Sequence, residues 1–363
     1  MNSRERFRES LLFGNPDKVS IPCYPFVAKP SLVEKWYDQG LPRDDSYIRI
    51  LGLEHSERLP LALGPLPRFE EKVVKELGDH RLIRNWLGQI VEVEKNPEMN
   101  DYYTKRWVDF PVKDRDDFEK MKWRYNPESP AIYPDFWEDV ARSYRDRTYP
   151  VSITMVSMFW RVRDWTGLKG LSIMFHKDPD LVHDMMDFWT EYIIVATERA
   201  LRDVDVDYVL MSDDMAYKGR AMIGPEMMRE FMLPNYRKWT RHFKSHGVDI
   251  IMMDSDGYIH EIAPVWAEAG INVLCPMEVN AGNDMLELRE EMGHEMAFLG
   301  GIDKTKIALG GEALRKEFQS KVPQLIEDGG YMPCCDHHIP PNITWPRYCH
   351  YVSLLKEFCG WES

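Results

Sequence analysis

Cysteine is scarce in this chain, with six in 363 residues (Cys23, Cys275, Cys334, Cys335, Cys349, Cys359) and no CxxC pair. So sparse a set fits reduced thiols and argues against a zinc ribbon or a thioredoxin-type centre. Long apolar runs are missing too. No stretch approaches the ~18 consecutive apolar residues of a membrane helix, and Met1–Ser10 (MNSRERFRES) is too polar for the apolar segment of a signal peptide. A cytoplasmic protein with no membrane partner is the expectation. Positive charge is in deficit, with 46 Lys and Arg against 60 Asp and Glu and a net charge of −14. No Lys/Arg stripe is interleaved with aromatics, so nucleic acid, which is bound by neutralising its phosphates, is not an expected partner. Internal repeats and Gly/Ser-rich or Pro-rich linkers are absent, and residues 1–363 read as a single domain.

What is present is a globular composition, 44% hydrophobic, 29% charged and 12% aromatic. Apolar residues at helical spacing predict a helix over Arg4–Phe13, stopped by Gly14-Asn15-Pro16-Asp17 before a strand over Val19–Phe26. From Ile48 to Pro111 periodicity is weak, with one hairpin where Leu82–Leu87 and Ile90–Val93 flank Gly88-Gln89. After Tyr149 the pattern becomes regular. Apolar runs at Val151–Val156, Tyr208–Met211, Val248–Met253, Ile271–Leu274, Met296–Leu299 and Gly330–Met332 alternate with amphipathic helices such as Asp180–Ala200 and Glu226–His246. Continuous apolar runs separated by helices are the mark of parallel strands covered on both faces. No GxGxxG or GxxxxGK[ST] follows any of them, which removes support from the nucleotide-binding doubly wound sheet. The expected fold class is therefore α/β, a single (β/α)8 TIM-type barrel, with the residues before about Tyr149 adding an N-terminal covering insertion.

In such a barrel the chemistry gathers at the carboxyl ends of the strands. Here those ends are acidic: Ser212-Asp213-Asp214, Asp254-Ser255-Asp256-Gly257, Cys275-Pro276-Met277-Glu278, Gly300-Gly301-Ile302-Asp303 and Pro333-Cys334-Cys335-Asp336-His337-His338. Carboxylates crowded into one mouth repel each other and are costly to desolvate, so a cation is expected among them, and a metal would supply it. Blander roles compete. An Asp after a strand is often a helix N-cap, which applies to Asp213, Asp214 and Asp303. An Asx-turn before Gly257 accounts for one of Asp254 and Asp256 but hardly both. His337 and His338 point to opposite sides if extended, Cys334 and Cys335 suit buried packing, and Phe159, Trp160 and Trp165 are candidates for the wall of a pocket taking a flat apolar ligand.

At these residues the sequence resembles the uroporphyrinogen decarboxylase superfamily, which includes cobalamin-dependent methyltransferases. The resemblance runs from Ser3-Arg-Glu-Arg-Phe7 and Asn15-Pro-Asp-Lys-Val19-Ser-Ile-Pro22 through Ile223-Gly-Pro-Glu226 with Phe231 and Pro234, Asp256-Gly257 and Gly300-Gly-Ile-Asp-Lys304 to Ile339-Pro-Pro-Asn342. The decarboxylase's early arginine-rich motif has no counterpart in Tyr24-Pro-Phe-Val-Ala-Lys-Pro30, and a porphyrinogen's carboxylates need such partners. The methyltransferase branch is the better likeness. Its zinc is held by a His-x-Cys pair and a later Cys, and the matching positions are Asp254, Asp256 and His337, a harder donor set that favours oxygen-bound methyl donors.

The resemblance thus implies a methyltransferase using zinc or another divalent metal, which moves a methyl group from a small methylated substrate to cobalamin carried by a partner corrinoid protein. Asp256, Glu278 and His337 are the expected metal ligands, Glu278 from position alone, with Asp254 or Asp336 orienting them. Asp254, Asp256 and Glu278 are the expected catalytic groups. Asp213, Asp214, Tyr217, Trp160 and Asp336 are expected to face the substrate, a methoxyaromatic first of all. Two alternatives stand beside it. One is a decarboxylase or lyase of a small carboxylic acid, with Arg161, Arg163 and Lys218 as its cationic clamp. The other is a non-catalytic corrinoid- or tetrapyrrole-binding barrel.

Overall fold

The computed structural model describes residues 1–22, 27–95 and 105–362. The first helix, Ser3–Leu11, opens with a capping box in which the Asn2 side chain accepts from the Glu5 N–H and Glu5 accepts from the Asn2 N–H. Pro22 then makes an isolated parallel bridge to Glu54. Of the expected first strand Val19–Phe26, Val19–Ile21 form no strand and Cys23–Phe26 lie outside the described residues.

The main sheet begins with β1 (Glu57–Arg58). A separate antiparallel sheet follows, made of β2 (Lys72–Leu77), β3 (His80–Arg84), β4 (Ile90–Glu94) and β5 (Arg106–Asp109) in that order. The chain returns to the main sheet with β6 (Val151–Val156) and β7 (Tyr208–Ser212), and a short hairpin of β8 (Ala216–Tyr217) and β9 (Arg220–Ala221) interrupts before β10 (Ile250–Asp254). Three strands complete it: β11 (Val273–Cys275), β12 (Ala297–Ile302) and β13 (Tyr331–Cys335). The main sheet has seven strands in the order β1-β6-β7-β10-β11-β12-β13, every pair parallel. With the Pro22 bridge beside Glu54 this is the strand sequence of a TIM-type barrel.

The expected strands stand where the apolar runs put them, because both faces are covered. Tyr208–Met211 and Ile250–Met253 are buried at every position. The Pro179–Asp203 helix buries Val182, Met185, Met186, Trp189, Ile193 and Ala196 toward the sheet, at the three- and four-residue spacing of one helix face. One expected helix is two. Glu226–His246 divides into Pro225–Phe231 and Leu233–Ser245, because Pro234 needs a first-turn position and restarts the helix after Met232. The expected hairpin is β3–β4, closed by Asn85, whose side-chain oxygen accepts from the N–H groups of Leu87 and Gln89. Its flanking strands β2 and β5 carry no readable alternation, being exposed at most positions. This inserted sheet is tied to the barrel through Gln89, whose amide donates to the Asp164 carboxylate and carbonyl. Among the described residues no helix is long and apolar enough to cross a membrane.

Candidate active site

In-register pairing puts Ser212, Asp254 and Cys275 side by side at the ends of β7, β10 and β11. The Ser212 hydroxyl donates to Asp254 Oδ2 at 3.1 Å. Burial, then the nearby charges of Asp256 and Asp214, push the Asp254 carboxyl up to about 7. Asp214 is pushed up to about 6 by burial and by Asp256. The Asp256 N–H donates to Asp214 Oδ1 at 3.2 Å, so the loop after β10 is folded onto the loop after β7. Gly257 makes that contact possible: it has a φ of +88°, and a Cβ there would lie 2.5 Å from the Ala216 carbonyl oxygen. From β13, His337 Nε2 approaches Asp256 Oδ2 to 3.2 Å, and this hydrogen bond raises the imidazole above its usual value despite burial. Asp214, Asp254, Asp256 and His337 thus form one acidic cluster.

The other half of the mouth is braced by hydrogen bonds. Glu278 Oε1 accepts from Lys304 Nζ at 2.7 Å, and Oε2 accepts from the Gly257 N–H at 3.0 Å. Burial opposes the Lys304 charge, but the Glu278 hydrogen bond and the Asp336, Glu278 and Asp256 charges outweigh it, and its pKa is raised. Lys304, part of a sequence motif but given no role by sequence reasoning, is the cation that the geometry adds to this mouth. It supplies from the protein itself part of the positive charge the acidic mouth demands.

Several expected roles change on this geometry. Asp213 is fully buried and accepts from the Trp160 N–H at 2.8 Å and the Tyr236 hydroxyl at 2.7 Å. Both oxygens are taken, so it brackets the helix Met158–Thr166 and does not face a substrate. Asp336 is likewise fully buried, accepting from the Val279 and Lys304 N–H groups at 3.0 Å each. Burial pushes it up to about 6, and it fastens the loops after β11 and β12 instead of meeting substrate. Asp303 is the N-cap of the helix Lys304–Leu309. Tyr217 stands half exposed on the β8–β9 hairpin. Trp160 lines a cavity of about 510 Å³ between the inserted sheet and the end of β6, with Trp86, Trp107, Val156 and Arg161 among its walls. Arg163, beside Trp160, donates to the Asp214 carbonyl at 2.8 Å, and Lys218 is exposed.

The metal expectation can be tested on the donors. A catalytic zinc takes three protein ligands at about 2 Å. Asp256 and His337 converge, but Glu278 is held by Lys304 and Gly257. Among the described residues, the triads whose ligand atoms all lie within 4.8 Å of one another are elsewhere. The set Asp256, Glu278 and His337 does not fit a three-ligand metal as arranged.

Comparison with known proteins agrees with the barrel. None of the curated proteins matches the chain. A solved structure, a methyltransferase from Methanosarcina mazei, is similar over 99% of both chains with a TM-score of 0.61 at 15% identity, a likeness of fold. The profile of the uroporphyrinogen decarboxylase (URO-D) family matches residues 153–358, from β6 to the last helix, and takes in every strand end described above. The chain belongs to the uroporphyrinogen decarboxylase (URO-D) family.

Proposed function

We propose that this barrel, acting as one domain, is a methyltransferase. It would move a methyl group from a small methylated substrate, a methoxyaromatic by preference, to reduced cobalamin held by a separate corrinoid protein. The observation that carries this reading is the acidic cluster: Asp254, pushed up to about 7, is protonated in about half of the molecules at neutral pH, at the end of a barrel strand. An ether oxygen is a poor leaving group until positive charge reaches it. In the proposed step the acceptor attacks the methyl carbon, the carbon–oxygen bond breaks, and the Asp254 proton passes to the departing oxygen. His337, whose positive form the Asp256 hydrogen bond favours, would stabilise the negative charge that develops there. The Trp160 cavity suits a flat ring. Zinc or another divalent ion would find two convergent donors in Asp256 and His337, and no step here runs through it.

Mixing the protein with reduced corrinoid and a panel of methoxyaromatics, methylamines and methyl thiols tests this. Methylcobalamin should form with at least one methoxyaromatic. The second reading, decarboxylation or a lyase reaction on a small carboxylic acid, is favoured by Arg161, which lines the same cavity as Trp160. Release of carbon dioxide from a carboxylated panel, with no methylcobalamin from the first, would put it in place of the methyltransferase.

A further inference from the structure

On the outside of the barrel, the helices Pro179–Asp203 and Leu233–Ser245 pack side by side, and three ligand-type side chains meet between their last turns. His242 and His246 are four residues apart and so share a helix face, and Glu198 comes from the neighbouring helix. His246 Nε2 lies 3.4 Å from Glu198 Oε1, and His242 Nδ1 lies 4.0 Å from Glu198 Oε2. Both helices run back from the mouth, so this cluster sits toward the opposite end of the barrel from Asp254 and His337.

The surrounding hydrogen bonds fix which nitrogens carry protons. The Thr197 hydroxyl donates to the Ile193 carbonyl at 2.8 Å, and its lone pairs face His242 Nε2 at 3.3 Å. Nε2 is therefore the N–H, and Nδ1 offers its lone pair to Glu198. His246 Nδ1 lies 2.9 Å from the His242 carbonyl, which only accepts, so Nδ1 is the N–H and Nε2 offers its lone pair to the same carboxylate. Each ring nitrogen left over by these bonds faces a carboxylate, a group that itself has only lone pairs. Three acceptors with no hydrogen among them call for a cation.

We propose that Glu198, His242 and His246 bind a divalent borderline metal ion of the Zn²⁺, Co²⁺ or Ni²⁺ class, pinning the two helices together. Tetrahedral bonds of about 2 Å place ligand atoms about 3.3 Å apart, close to the 3.4 Å and 4.0 Å separations present. The hydrogen bonds from His242 to Thr197 and from His246 to its own helix act as the outer partners that hold ligating imidazoles in one tautomer. The exposed side of Glu198 leaves a fourth position for water.

The test uses the full-length protein after chelator treatment, titrated with Co²⁺ by visible absorption and with Zn²⁺ by calorimetry. His337→Gln serves as the background, so that any ion in the mouth is removed from the count. One equivalent should bind there, and adding His246→Gln or Glu198→Gln should weaken it about tenfold or more, with the circular dichroism spectrum unchanged. No binding tighter than millimolar in the background, or binding weakened less than tenfold by both added substitutions, would overturn the proposal.

Discussion

The two ends of the barrel treat buried carboxylates in opposite ways. At the base, Asp207 precedes β7, is fully buried, and accepts from Arg4 Nε at 2.5 Å, Arg147 Nη2 at 2.7 Å and the Val151 N–H at 2.8 Å. Glu54, before β1, accepts from Arg6 and from the Ser20 hydroxyl. At the mouth, Asp254 ends β10 with one serine hydroxyl for a partner, and among the described residues no arginine or lysine hydrogen-bonds it. A paired carboxylate locks the loops it touches. One left short of positive charge holds a proton into the neutral range and can give it away. Burial is common to both ends, so charge pairing sets Asp207 and Glu54 apart from Asp254, while Asp213, raised with neutral donors on both oxygens, shows that a carboxyl must also be clear of such brackets to do chemistry.

The sharpest way to break that contrast is to remove a base carboxylate. Asp207→Ala leaves Arg147 buried without its partner, and losing one side of a buried pair costs about 3–5 kcal/mol. Thermal unfolding should drop by several degrees, while turnover per folded molecule stays near that of the parent. The mouth should answer in reverse. Asp254→Asn keeps the shape and removes the transferable proton, so turnover should fall about a hundredfold with no loss in the unfolding temperature. Stopped-flow assays beside calorimetry on both variants check the pair. A stability loss at Asp254 as large as that at Asp207 would erase the distinction.

The pH dependence of stability is a smaller effect of the same cause. Asp254 at about 7, and Asp214 and Asp336 at about 6, lie above their ordinary range. A carboxyl raised on folding keeps a proton that the unfolded chain has released. Its contribution is full below about pH 4 and is lost as pH rises through the folded value. His337, also raised, acts in the same direction. The unfolding temperature should therefore fall between pH 5 and pH 8, and Asp254→Asn should flatten part of that slope. Unfolding that becomes more difficult across this window would mean that the mouth carboxyls are paired after all.

How much of this could be read in the chain follows from the same distinction between covered and uncovered surfaces. Runs such as Tyr208–Met211 announce their strands because every position is buried. The strand Lys72–Leu77 does not, because its side chains stand in solvent and no face needs an apolar row. Asp254 and Asp256 could be placed at the barrel mouth from the chain alone, since they lie at and two residues beyond the end of the apolar run Ile250–Met253. The role of Lys304 was not legible, although it closes the Gly300-Gly-Ile-Asp-Lys304 motif, because its partner Glu278 comes from another strand end. Asp213 looked like a member of the site, and only its bonds to the Trp160 N–H and to the Tyr236 hydroxyl, from a helix further along, show that it is a bracket. The four-residue spacing of His242 and His246 is visible in the sequence, but the carboxylate completing the cluster lies on another helix.

Glu278 allows the finest comparison, because it sits in the mouth yet is paired as carboxylates are at the base. Its two oxygens hold Lys304 Nζ and the Gly257 N–H, and the latter ties the loop after β11 to the turn that presents Asp256. In Glu278→Gln the amide oxygen can keep one of these bonds, while the charge that balances Lys304 disappears. Asp336 and Asp256 still lie in the field of that lysine, so the change should loosen the turn without emptying the cluster. Lost positioning of this kind should cost less than tenfold in turnover, about 1.4 kcal/mol at most, and should leave the pH at half-maximal rate where Asp254 sets it. Measuring rate against pH for Glu278→Gln separates the two roles. A loss as deep as that of Asp254→Asn would make Glu278 a reacting group in its own right, and pairing would then no longer tell structural carboxylates from catalytic ones.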